Sequence, residues 1–166
     1  GQVCSAGSRL LVHEDVKDEF LDVLTDRIEE MTLDNGETDP DMGPLVSEEH
    51  FEKVTNYLDI GRAEAGEPLI GGEALDRDGY FVEPTVFTGV DNDMRIAQEE
   101  IFGPVLSVIE FGTEAEAIAL ANDVDYGLVA GIHTQNMGRA HRFARDVRAG
   151  QVYINEWFAG GEETPF

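Results

Sequence analysis

With 166 residues, 42% of them hydrophobic, residues 1–166 match one domain able to bury a sizeable core. The formal net charge of −24 comes from 35 acidic against 11 basic residues. Lys17 and Lys53 are the only lysines, which excludes the clustered basic surface that a nucleic-acid partner needs. One cysteine rules out an internal disulfide framework, no apolar run approaches membrane-spanning length, and no signal-peptide pattern opens the sequence, so a cytoplasmic protein without a membrane partner is expected.

The chain opens on the small-residue run Gly1-Gln2-Val3-Cys4-Ser5-Ala6-Gly7-Ser8-Arg9, which feeds a strand over 8–13 through Leu10-Leu11-Val12. Glycine and alanine leave room for a carbonyl to approach the Cys4 sulfur, and a turn-like backbone can aim amides at an oxyanion. The ordinary reading of a lone cysteine is a small buried hydrophobe. Asp15 is placed to cap a helix with Phe20, Leu24, Ile28 and Met31 at helical spacing, and the Asp-, Gly- and Pro-rich stretch 32–44 reads as a loop. A second helix starts at Ser47, with Glu48 and Glu49 near the positive end of its dipole, Val46 and Phe51 as a hydrophobic staple, and Val54 and Leu58 on the buried face; it ends near Gly66.

Strand-like runs follow at 69–70 and 80–87, then a turn-rich stretch leads to Glu99-Glu100-Ile101-Phe102-Gly103-Pro104-Val105. From there a strand over 105–109, a helix opened by a Thr113/Glu116 capping box, a strand over 128–132, a helix marked by Met137, Ala140, Ala144 and Val147, and a strand over 151–155 alternate. That series implies an α/β fold with a parallel sheet and right-handed crossovers, in which ligands gather outside the carboxyl ends of the strands.

The Cys4 run and the Glu99–Val105 run, 96 positions apart from Cys4 to Glu100, resemble two motifs of the aldehyde dehydrogenase superfamily, its active-site cysteine and its Glu-Glu-Ile-Phe-Gly-Pro segment. Gly43-Pro44-Leu45, the run from Gly79 to Val86, Tyr126-Gly127-Leu128 and Val152-Tyr153-Ile154-Asn155 extend the resemblance over essentially the whole chain. The resemblance implies the parallel-sheet catalytic domain of that fold in incomplete form, with the Rossmann-like cofactor domain, a glutamate base and an oxyanion asparagine upstream, and an assembly strand downstream. It implies NAD or NADP as cofactor, a small-molecule aldehyde as substrate, and a homodimer or homotetramer when complete.

Under that resemblance Cys4 attacks the aldehyde to form a thiohemiacetal, hydride loss leaves a thioester, and water releases the acid. Glu100 binds the nicotinamide ribose and Phe102 packs at the nicotinamide end. Val3, Ser5, Trp157, Phe158 and Phe166 line the aldehyde pocket, and the segment alone turns over little or no aldehyde. Read without the family, Glu100 is an exposed acid, Phe102 a core residue and Trp157 a surface-packing aromatic. His13, His50, His133 and His141 lack metal-ligand spacing, so no metal is expected. One of them pairing with Cys4 would give the alternative, a cysteine-dependent thioesterase or acyltransferase, which cofactor dependence distinguishes. A non-catalytic structural copy of the domain is the third reading.

The acidic runs alternate with apolar residues, which fits a solvated halophilic surface better than a disordered tail. Molar salt shrinks the Debye length to ~3 Å and screens the self-repulsion of such a surface. The melting temperature is therefore expected to rise from low to molar KCl, and a flat or falling melt would contradict a halophilic origin.

Overall fold

In a computed structural model that describes residues 1–157, two units divide at Glu110: Gly1–Glu110, and the residues from Phe111 onward. The first unit is organised by a three-stranded sheet in the order β1-β3-β2, with β1 at Arg9–His13, β2 at Thr85–Phe87 and β3 at Val105–Phe111. β2 and β3 run parallel, Thr85 opposite Val105 and Phe87 opposite Ser107. All three β2 residues are buried, as are Val105, Ser107, Val108 and Ile109 of β3, the near-continuous burial of strands covered on both faces.

The helix α1 (Lys17–Glu29) presses Leu21, Leu24 and Ile28 onto Val12, Val86 and Val108 of the sheet. Phe20, expected on that face, is 42% exposed, because Leu21 shares the i, i+3, i+7 stripe with Leu24 and Ile28 and the sheet takes that stripe. The expected Asp15 cap is also corrected. A single 3-10 turn, Glu14–Val16, precedes α1, and its cap is His13, whose ring accepts a hydrogen bond from the Asp15 amide; Val16 at the start of α1 has no side-chain cap.

The second helix, α2 (Glu48–Ala65), follows the sequence closely: the Ser47 hydroxyl accepts from the His50 amide, Val54 and Leu58 are buried, and the chain leaves at Gly66 with φ of 88°. The staple does not form. Val46 is 81% exposed, and the Phe51 ring turns to Tyr80 instead, 6.0 Å between centroids. Gly61 faces Phe87 of β2 so closely that a methyl there would lie 2.5 Å from the ring, which accounts for a residue that weakens a helix interior by about 1 kcal/mol.

Loop 32–44 holds a 3-10 turn, Gly36–Thr38, and is tied down by its acids. Asp41 accepts from the Thr32 amide and hydroxyl, and Asp34 pairs with Arg77 at 2.6 Å, contacts that hold both carboxyls below their ordinary range. The expected strands over 69–70 and 80–87 shrink to Thr85–Phe87, with single antiparallel bridges from Ile70 to Val86 and from Ala74 to Val82. Pro84 supplies no amide to a ladder, and Gly71 and Gly72 turn the partner segment away at φ of 73° and 101°.

In the second unit, β4 (Val129–Ile132) and β5 (Gln151–Ile154) pair in parallel across α5 (Met137–Asp146), the expected strand–helix–strand. The preceding helix α4 (Glu114–Asn122) has Thr113 as its cap, while the Glu116 carboxylate reaches the Gly112 amide at 2.9 Å. Ala140 and Phe143 are the buried residues of α5, and Met137 is 62% exposed. Because β3 pairs with β1 and β2 while β4 and β5 pair with each other, the series expected as one sheet is two among the described residues. No helix among the described residues is long and apolar enough to cross a membrane.

Candidate active site

The cysteine run forms a tight turn. The Ala6 amide donates to the Val3 carbonyl at 2.9 Å, with Cys4 and Ser5 at the corners. Ser5 is 5% exposed and anchors the turn in the fold, whereas the Cys4 thiol and the Val3 side chain face solvent. Upstream, Gly1 packs so tightly on the Gly103 carbonyl that no Cβ would fit, which seats the turn beside the second motif. Downstream, the Ser8 carbonyl accepts from the Ser107 amide of β3 at 2.9 Å, so the turn springs from the edge of the buried sheet.

The second motif follows a short helix, α3 (Arg95–Gln98). Its two adjacent glutamates differ. Glu99 accepts from Arg95 through Nε at 3.1 Å and Nη2 at 3.0 Å and from the Tyr57 hydroxyl at 2.6 Å. Arg95 first and Tyr57 second hold its carboxyl below the ordinary value, while burial and then Glu99 push the Tyr57 hydroxyl up. Glu100 is exposed, and its carboxylate has no hydrogen bond or ion pair among the described residues; Lys53 Nζ bonds instead to its backbone carbonyl, at 2.9 Å. An acid fixed through its backbone and open at its carboxylate suits a ligand rich in hydroxyl groups.

Phe102 has φ of 63°, the left-handed region that an aromatic residue occupies only when its surroundings hold it, at a cost of about 1–3 kcal/mol. His50 supplies the hold twice: its Nε2 lies 2.6 Å from the Phe102 carbonyl oxygen, and its ring meets the Phe102 ring edge-on, 6.1 Å between centroids. Behind them Gly103 rests on Val54 of α2. Thus the first two turns of α2 shape the Glu100–Gly103 segment.

Cys4, Val3, Ser5, Glu100 and Phe102 all belong to the first unit. Trp157 belongs to the second, where its indole covers Gly131 and tilts against Tyr153 at 5.9 Å while staying 43% exposed. Phe158 and Phe166 lie outside the described residues. In the sequence Gln2 stood out only as a member of the cysteine run, His50 only as one candidate partner of Cys4, and Lys53 had no role in the site; the available signal was the three-residue spacing of His50 and Lys53, which puts both on one face at the start of a helix. Among the described residues no hydrogen bond reaches the Cys4 sulfur. His50 is engaged with Phe102, and the His13 ring accepts from the Asp15 amide.

The sequence profile of the aldehyde dehydrogenase family matches residues 1–166. The whole chain is 50% identical to part of an α-ketoglutarate semialdehyde dehydrogenase of Haloferax volcanii and 44% identical to part of a betaine aldehyde dehydrogenase of Cereibacter sphaeroides, covering 35% of each. The crystal structure of Staphylococcus aureus betaine aldehyde dehydrogenase in complex with NAD+ superposes with a TM-score of 0.95 at 45% identity, over 99% of this chain and 34% of that one. A 1-pyrroline-5-carboxylate dehydrogenase from Thermus with bound NAD gives 0.93 at 42% identity, over 97% of this chain and 31% of that one. The chain therefore spans about a third of the length of the relatives it matches. With every residue inside the matched profile and the α/β architecture reproduced at these identities, the chain belongs to the aldehyde dehydrogenase family.

Proposed function

We propose that the complete protein oxidises a small aldehyde to its carboxylic acid with NAD or NADP, and that Cys4 is the nucleophile. The observation that carries this reading is the seating of an exposed, unpartnered thiol on a tight turn next to a segment that offers an unpartnered carboxylate, Glu100. Relatives named for betaine aldehyde and for α-ketoglutarate semialdehyde support a small aldehyde as the substrate class. A BME-modified cysteine in the apo form of a point mutant of the Staphylococcus aureus enzyme supports a reactive thiol in such a fold.

In this mechanism the Cys4 sulfur adds to the aldehyde carbon, and the Cys4 amide donates to the resulting oxyanion. A bound dinucleotide would supply the hydride acceptor, so that the thiohemiacetal on Cys4 loses a hydride to it and its hydroxyl proton to solvent and becomes a thioester. Water then cleaves the thioester, freeing the acid and restoring the thiol. The general base and the second oxyanion donor come from parts of the protein outside this chain, so the segment alone turns over little or no aldehyde. Glu100 and Phe102 are the residues that would hold the nicotinamide end of the cofactor. Val3, exposed beside Cys4 in the same turn, is proposed to face the aldehyde. A halophilic, cytoplasmic enzyme working as a homodimer or homotetramer completes the proposal.

The nucleophile is tested by capturing an acyl group on Cys4. The cofactor role is tested separately, because Glu100→Ala removes an exposed side chain without a protein partner. Loss of one charged hydrogen bond, about 1.5 kcal/mol, is expected to raise KM for the dinucleotide about tenfold while the melting temperature stays put. Unchanged cofactor kinetics would remove Glu100 from the site.

A further inference from the structure

Two residues before the nucleophile, the Gln2 side chain uses both ends of its amide on one short stretch of backbone. Its Oε1 accepts from the Val46 amide at 3.0 Å and its Nε2 donates to the Pro44 carbonyl at 3.3 Å. The orientation is forced, since a flipped amide would set its NH2 group against the Val46 N–H and its oxygen against the Pro44 oxygen. The stretch it grips is itself fixed: Leu45 is 5% exposed and donates its amide to the Tyr80 carbonyl at 2.8 Å, and Ser47 caps α2. That helix in turn carries His50 and Lys53, which hold Phe102 and Glu100.

The Cys4 turn therefore has two upstream ties, Gly1 on Gly103 and Gln2 on Pro44 and Val46, and only the second is made by a side chain. Such a tie sits outside the chemistry but sets where the sulfur stands, and a misplacement of about 1 Å is enough to cost a reaction roughly a hundredfold. We propose that Gln2 is a positioning residue: its two-point grip on Pro44 and Val46 registers the Cys4 turn against the segment in front of α2, and so fixes the direction of the thiol. This rests on Cys4 being the nucleophile.

The test uses Gln2→Leu, of similar size but with neither bond, and Gln2→Glu, which keeps the acceptor for Val46 and loses the donor to Pro44. Both are made in the complete enzyme and compared with wild type in kcat, in dinucleotide KM, in melting temperature, and in the rate at which iodoacetamide alkylates Cys4 in the absence of substrate. Expected are a fall in kcat of about 10–100-fold for Gln2→Leu and a smaller fall for Gln2→Glu. The alkylation rate should change in the same order while the dinucleotide KM stays within about twofold. An alkylation rate and a kcat equal to wild type in Gln2→Leu would overturn the proposal, as would a kcat loss that merely follows the melting temperature in both variants. If Cys4→Ala leaves oxidation intact, it is the nucleophile assignment that fails; a Gln2 defect in an enzyme that needs Cys4 is the outcome specific to the grip.

Discussion

Replacing Cys4 by alanine in the complete enzyme is expected to lower kcat for aldehyde oxidation by at least about ten-thousand-fold, because the covalent route disappears and the remaining groups act only as a binding frame. Serine at the same position keeps the turn and a hydroxyl but has a far weaker nucleophile, so Cys4→Ser should resemble the alanine variant. The fold should tolerate either change: the thiol is exposed and unpartnered, and the turn is closed by backbone atoms of Val3 and Ala6 rather than by the sulfur. Wild-type enzyme quenched during turnover should carry the acyl group of the added aldehyde on the peptide containing Cys4, and both variants should carry none. Oxidation that persisted in Cys4→Ala, with no acyl adduct on the wild type, would rule out the mechanism. Release of acid from thioesters without any reduction of NAD or NADP would instead favour a cysteine hydrolase; within the described residues the His13 and His50 rings bond elsewhere.

What the sequence made legible follows from the range of the forces involved. Helix α2 was readable because its cap, first-turn acids, buried pair and terminal glycine are each local signals that act over a few residues. Strand β5 and helix α5 were readable for the same reason. The choice between Phe20 and Leu21 on α1 was not, since both satisfy helical spacing and only the packed sheet decides. Nor was the split into two sheets, which depends on β3 pairing with the distant β1 and with β2, no nearer to it in sequence than β4 is.

The site divides in the same way. Cys4 and Glu100 stood out through motifs, whereas the reason one glutamate is free and its neighbour is not lies in Tyr57 and Arg95, and only Arg95, four residues from Glu99, is near in sequence. Likewise Phe102 gives no local sign of its left-handed backbone; that conformation is imposed by His50, 52 positions away. Gln2 reaches 42 and 44 positions along the chain to Pro44 and Val46. Local chemistry identified the reacting group, and long-range contacts determine how it is held.

Gly103→Ala is expected to be the most damaging conservative change in the second motif. A methyl at this position would lie 2.7 Å from Val54 Cγ2 and 3.0 Å from Cγ1, closer than packed carbons approach. Val54 has no way to yield: it is fully buried within α2, and a β-branched side chain in a helix has essentially one χ1 rotamer. The overlap must therefore be absorbed by separating α2 from the motif, at about 1–3 kcal/mol, read as a lower urea midpoint of the chain. Since α2 also carries the His50 and Lys53 contacts to Phe102 and Glu100, the same displacement should raise the dinucleotide KM of the complete enzyme. Val54→Ala alone leaves a void and destabilises, but combined with Gly103→Ala the new methyl occupies part of that void. The double variant should then be more stable than the sum of the single changes by about 1–2 kcal/mol, and strictly additive losses would show that Gly103 is required for some reason other than the close approach of α2.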